Sequence, residues 1–219
     1  MDSKFKFSPI LVISLFALVG FGTLALLVSG DQIVHFDMAI ITFIQGLETP
    51  ILTTIMKFFT FIGAGSTIKV LAVITVFILF LFFNHRFELL LFIVVLIGSS
   101  YLFRTLKLLF HRTRPDLHRL IEIGGYSFPS GHATNAITFY GILTFILWRH
   151  IPSRLGRSLL LIISTIFIIT IGLSRIYLGV HYPSDILAGY FAGGLWLTLA
   201  IWCFQFIKEK FAKRTPNNV

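Results

Sequence analysis

Residues Ser174-Arg175-Ile176-Tyr177-Leu178-Gly179-Val180-His181-Tyr182-Pro183-Ser184-Asp185 separate two long apolar runs, so an arginine, a histidine and a carboxylate lie at the edge of an apolar layer. Ionisable groups at such depth cost roughly 2.5–3.5 kcal/mol each on insertion scales and by default mark function. Pro183 suits the first turn of a helix, where its missing N–H has no helical partner to lose. His181 then sits just outside that helix, and Asp185, about one turn in, reaches back to the imidazole. A histidine held by a carboxylate, with Arg175 upstream, describes a nucleophile or base beside an anion clamp. A polar loop closed by an ion pair is the plainer alternative.

The composition outside this stretch is that of a polytopic membrane protein. Of 219 residues, 56% are hydrophobic and 12% charged, and mean hydropathy is +0.91; soluble domains carry about 25% charged residues. A net charge of +9 would point a soluble chain toward nucleic acid. In this composition it reads as cytoplasmic-loop Lys and Arg plus an anion site, with no nucleic-acid partner. The single cysteine, Cys203, falls in an apolar run and excludes an intramolecular disulfide. No His/Cys cluster has zinc spacing, so no metal is expected. Lys4 and Lys6 precede an apolar run that has no small-residue cleavage site, as in an uncleaved first span.

Windows long enough to cross a bilayer fall at roughly 8–29, 66–83, 87–109, 131–149, 157–175 and 184–207. The prediction is an all-α membrane protein: one domain over 1–219, six transmembrane helices, and interfacial helices on the extracellular side. Lys4 and Lys6, His85-Arg86, Arg149, Arg154 and Arg157, and Lys208 to Arg214 then share one side, which makes it cytoplasmic and puts both termini there. The outer segment, about 31–65, has apolar Ile33, Phe36, Ile40, Ile44 and Leu47 at helical spacing, as in a helix lying in the interface. Residues 51–62 are too short to cross, and 63–66 read as a turn. The loop 110–130 breaks the charge rule: His111, Arg112, Arg114, His118 and Arg119 lie outside, and anion binding supplies a reason.

Lys107 and Arg114 are two helical turns apart and share a face if the helix continues that far, although Pro115 disfavours it. Arg offers phosphate a planar fork of donors, and Lys a compact charge. In Pro129-Ser130-Gly131-His132, Ser130 suits an N-cap, Gly131 permits close approach to the backbone, and the helix start favours an anion. Alone, this segment reads as a capped helix start. His111, Arg112, His118 and Arg119 read as a solvated basic loop, Tyr126 and Phe128 as interfacial aromatics, and Asn135 as a second-shell partner or helix contact.

The ordered set Lys107-x6-Arg114-Pro115, Pro129-Ser130-Gly131-His132 and Ser174-Arg175-x5-His181-x3-Asp185 resembles the three-part signature of the type 2 phosphatidic acid phosphatase superfamily. Every anchor position matches, over a motif core of 107–185. Within the integral-membrane branch the chain is similar to phosphatidylglycerophosphatase B-like enzymes. The resemblance implies that His181 is the nucleophile, forming a phosphohistidine, with Asp185 orienting it and His132 as general acid/base. It also implies that Lys107, Arg114, Ser130, Gly131 and Arg175 hold the phosphate oxygens, with no cofactor. Spacing alone leaves open which histidine attacks. The implied activity is metal-independent hydrolysis of a lipid phosphate in a bacterial cell membrane, on the extracellular side and with no obligate protein partner. Phosphatidylglycerophosphate to phosphatidylglycerol is the leading reaction. Undecaprenyl-diphosphate phosphatase activity in cell-wall lipid carrier recycling, or a lipid phosphotransferase, is the alternative. Six expected spans and no large soluble portion count against a vanadate-dependent haloperoxidase, and a degenerate lipid-binding protein should have lost a histidine or a cation, of which none is missing.

Overall fold

The computed structural model describes residues 9–82 and 86–214. Of the residues used to orient the chain, Lys4, Lys6 and His85 lie outside that range. Among the described residues every regular element is a helix: α1 Pro9–Ser29, α2 Val34–Gln45, α3 Pro50–Ile62, α4 Gly65–Phe82, α5 Arg86–Phe110, α6 Gly131–Trp148, α7 Arg154–Tyr177 and α8 Pro183–Arg214.

The helix starts follow from local chemistry. Thr49, Ser130 and Ser153 each cap a helix by accepting a backbone N–H, from Leu52 at 3.2 Å, Ala133 at 3.4 Å and Gly156 at 3.1 Å. Pro50 and Pro183 open α3 and α8 at positions where no N–H is needed.

Helices α1, α5, α7 and α8 are each long and apolar enough to cross a membrane, and α3 with α4, bent by 56° at their junction, make a fifth candidate. Of the expected six, α6 is less apolar than these, and packing explains its composition. It lies at the centre, against α5, α7 and α8, and buries Thr134, Asn135 and Thr138. Hydrogen bonds tie α6 to its neighbours, Ser99 with Thr138 at 3.1 Å and Thr144 with Ser164 at 2.7 Å, and Ser14 with Thr198 at 2.8 Å joins α1 to α8.

The amphipathic reading of 31–47 needs one correction. The face that α2 turns inward is Ile33, Asp37 and Ile41, whereas Phe36 is 44% exposed. Asp37 lies on the buried face because its charge is answered by a cation from another loop. The polar segment 111–130 lacks regular structure yet is held closely. Leu120 N–H donates to the Leu178 carbonyl at 3.1 Å, Gln45 donates to the His118 carbonyl at 2.8 Å, and Ser127 N–H donates to the Arg112 carbonyl at 2.8 Å. Gly179, with φ +73°, lies so close to this loop that an added Cβ would be 1.9 Å from the His118 oxygen. Only glycine accepts both that backbone conformation and that contact.

Candidate active site

α7 ends at Tyr177, and a tight turn through Gly179, with Val180 N–H donating to the Arg175 carbonyl at 3.1 Å, leaves His181 outside both flanking helices. Asp185 is in the first turn of α8, where Oδ2 accepts from His181 Nδ1 at 3.1 Å and from Tyr182 N–H at 3.0 Å. The expected one-turn return is therefore formed. Nε2 of His181 lies 3.1 Å from Arg114 Nη1. A guanidinium only donates and a carboxylate only accepts, so both partners select one tautomer, with the proton on Nδ1 and a lone pair on Nε2. Burial, then the charges of Arg175, Arg114 and Lys107, hold His181 well below the ordinary imidazole value.

Behind Asp185 stands a pair of charges, Arg112 and Asp37, that sequence reasoning missed. Arg112 Nη1 donates to Asp185 Oδ1 at 2.7 Å, and Nη2 donates to Asp37 Oδ2 at 2.8 Å. Asp37 also accepts from the Ser184 backbone N–H at 2.8 Å and hydroxyl at 2.6 Å. Burial lowers the Arg112 pKa, but Asp185 and Asp37 outweigh it, so the net shift is upward. Arg112 is thus no solvated loop cation, and its ring-stacked position 4.0 Å over Tyr182 fixes it further. The missed signal is Asp37 standing between Ile33 and Ile41 at the same helical spacing.

The cations converge by another route than a shared helix face. His111 has φ +47°, α5 ends at Phe110, and Arg114 therefore reaches the site from the loop. Its Nη1 donates to the Val180 carbonyl at 2.7 Å, Nε to Gly125 at 3.0 Å and Nη2 to Tyr126 at 3.1 Å. Lys107 Nζ donates to the carbonyls of Tyr126 and Ser127. Burial is the main cause that lowers Arg114 from its ordinary value, with Asp185 opposing it. Arg175 is 1% exposed; Nη1 donates to the Thr60 hydroxyl, while Nε and Nη2 meet no acceptor among the described residues. A buried guanidinium with two idle donors is costly unless a ligand supplies the acceptor.

Ser130 N–H donates to the Asp185 backbone carbonyl at 2.9 Å, which joins the start of α6 to the start of α8. The Ser130 hydroxyl is the helix cap, and Gly131 has a packing reason of its own, since a Cβ there would stand 3.1 Å from the Phe103 ring. His132, in the first turn of α6, faces the Thr60 backbone and lies within electrostatic range of Arg175, His181 and Arg114. All eight predicted residues thus belong to one cluster. Three of those set aside have other partners: His118 pairs with Glu48 at 2.7 Å, Arg119 with Asp116 at 3.3 Å, and Phe128 is buried against Phe110 and Phe21. Among the described residues no three His, Cys, Asp or Glu side chains gather as a metal site.

The comparisons agree with this geometry. The PAP2 superfamily model matches residues 88–209. Phosphatidylglycerophosphatase B of Bacillus subtilis (strain 168) is 33% identical over 67% of this chain and 72% of its own length. A lipid A 4'-phosphatase of Bacteroides thetaiotaomicron is 33% identical over 43% of this chain and 37% of its own. The crystal structure of a transmembrane PAP2 type phosphatidylglycerolphosphate phosphatase from Bacillus subtilis superposes with a TM-score of 0.82 at 30% identity, covering 89% of this chain and 96% of that one. With its three motifs assembled around His181, this chain is a membrane-integral lipid phosphatase of the PAP2 superfamily.

Proposed function

We propose that the protein hydrolyses the terminal phosphate of phosphatidylglycerophosphate through a phosphohistidine, without a metal. The observation that carries this reading is Arg175, buried with two donors unpartnered among the described residues, beside a histidine whose Nε2 is kept unprotonated and exchanges its Arg114 hydrogen bond for phosphorus. In the first step Nε2 of His181 bonds to phosphorus as the phosphorus–lipid oxygen bond breaks, and His132 gives its proton to the leaving alkoxide. Asp185 stabilises the charge the imidazole acquires. In the second step His132 takes a proton from water, whose oxygen displaces Nε2 and frees inorganic phosphate. Arg175, Arg114 and Lys107, with the Gly131 N–H and Ser130 hydroxyl, hold the equatorial oxygens throughout; positioning and fixed charge are most of what phosphoryl transfer requires.

In this reading the chain is one domain, α6 is the sixth span, both termini are cytoplasmic, and the site faces outward. The loop residue His118 is 54% exposed at its side chain, so His118→Cys, made together with Cys203→Ser, provides the topology test. An impermeant maleimide should label it in intact cells, and labelling only after lysis reverses the orientation.

The functional test is phosphate release in detergent micelles with excess EDTA, comparing the natural protein with His181→Ala across phosphatidylglycerophosphate, undecaprenyl diphosphate and phosphatidate. We expect metal-independent release that falls at least roughly 10³-fold in the variant, with phosphatidylglycerophosphate giving the highest kcat/KM. Release that persists in His181→Ala overturns the nucleophile, and a different ranking overturns the substrate.

A further inference from the structure

A cavity of about 210 Å³ opens between α4, α5 and α6, and its polar lining is Ser66, Lys69, Ser100, Arg104 and Asn135. Neither Lys69 nor Arg104 meets a carboxylate or hydrogen-bond acceptor among the described residues. Two exposed cations from neighbouring apolar helices that line one partly polar hollow, with no counter-charge among the described residues, are the elements of an anion receptor.

The position of the cavity relates it to the reaction. Arg104 precedes Lys107 by three residues in α5, so it lies on a neighbouring face about 4.5 Å deeper along the axis. Asn135 follows His132 by three residues in α6 and is displaced by the same distance and in the same sense. Its side chain is buried, with the amide nitrogen facing Gly65 at the head of α4, where a Cβ would stand 3.7 Å away. The cavity therefore lies about one helical turn below Lys107 and His132, and His132 is the residue beside which the proposed leaving group departs. Exposed Lys and Arg near a helix end ordinarily reach for surrounding headgroups. The convergence of two hydroxyls and an amide on the same hollow instead favours a single bound group.

We propose that this cavity binds a second phosphate of the lipid substrate, on the leaving-group side of the one that is hydrolysed. The proposal rests on the phosphatase reading above. Two lipid classes carry such a group: a glycerophospholipid with an internal phosphodiester beside its terminal monoester, and a prenyl diphosphate with its inner phosphate. A simple phosphatidate carries none, and so serves as the internal reference on the same enzyme preparation.

The test measures kcat/KM for phosphatidylglycerophosphate, undecaprenyl diphosphate and phosphatidate in the natural protein, Lys69→Gln/Arg104→Gln and Arg104→Lys. The double variant should lower the preference for at least one two-phosphate lipid over phosphatidate by tenfold or more, and Arg104→Lys should keep most of that preference. Loss confined to phosphatidylglycerophosphate identifies the diester as the bound group, and loss confined to undecaprenyl diphosphate identifies the inner phosphate. Preferences unchanged for both lipids overturn the subsite and leave the two cations to the surrounding headgroups. A natural protein that releases phosphate from none of the three overturns the phosphatase reading itself.

Discussion

The antiparallel helices α5 and α6 carry a charged cluster at each end, and the two clusters are built on different terms. At one end Glu88, in the first turn of α5, accepts from Arg149 at 3.0 Å, and His150 Nε2 stands 3.6 Å from its other oxygen. Charge there is answered within the protein, although Glu88 Oε2 accepts no hydrogen bond among the described residues, and the cluster ties one helix to the next. At the other end the carboxylates that Lys107, Arg112, Arg114 and Arg175 meet among the described residues are Asp37 and Asp185, and Arg112 occupies both. The remaining cations turn to backbone carbonyls or, in Arg175, to one hydroxyl, with Nε and Nη2 unpartnered among the described residues. A closed cluster contributes to stability, whereas an open one holds stability in reserve for a ligand.

The sharpest way to break this comparison is Arg175→Gln. Removing one preorganised donor from a phosphoryl-transfer site should lower kcat/KM by roughly 10²–10³-fold, while the Tm in detergent stays level or rises because an unpartnered buried charge is gone. A fall in Tm matching the loss of activity would make Arg175 structural. Arg112→Gln comes next. Asp185 loses its anchor and Asp37 is left buried and unpaired, so kcat should fall roughly tenfold with KM little changed. Asp37→Asn in the same chain should then recover stability without recovering kcat, which a purely structural pair would not do.

At the opposite end Arg149→Gln should cost about 1 kcal/mol, since that arginine is 40% exposed, or roughly 2–4 °C in Tm. Its kcat/KM per folded molecule should be unchanged; a loss of activity there would couple the two ends. The smallest effect concerns pH. His181 is held below the ordinary value of 6.5 by burial first and then by Arg175, Arg114 and Lys107, so Nε2 is lost to protonation only as pH falls well under 6.5. The acid limb of activity should lie there. Arg114→Gln removes one opposing charge and should move the His181 titration upward, as followed by NMR of ring-labelled histidine; an unmoved titration would remove Arg114 from the nucleophile's field.

The site was legible in the sequence to the extent that chain-local chemistry made it. Pro183 announces the start of α8, the four-residue spacing of His181 and Asp185 is one helical turn, and Ser130 is a cap by residue type. The cations were legible as charges that the expected six-span topology puts on the side where basic residues are scarce. Two things were not. The route of Arg114 depends on His111 entering the left-handed region, which a non-glycine residue seldom advertises. Asp37 was hidden because an acidic residue on an amphipathic helix normally faces water, and its partners Arg112 and Ser184 lie far along the chain. Of the fold, the helix limits were readable from apolar length and the turn at 63–66 from its glycines, but not that α3 and α4 together make one bent candidate span; α6 at the centre shows how burial against neighbouring helices accommodates Thr134, Asn135 and Thr138 in an otherwise apolar helix.

The contact between Gly179 and the His118 carbonyl has a consequence for how this protein tolerates mutation. Any side chain at that position must drive the loop 111–130 away from the turn that presents His181, and Arg114 travels with the loop. A saturation library selected for growth on phosphatase activity should therefore score Gly179 as severely as His181, although the glycine touches no reacting atom. Sorting the same library for membrane expression would separate the two, because Gly179 variants should accumulate less protein and His181 variants a normal amount. In this molecule an intolerant position marks chemistry only where the folded protein survives the change.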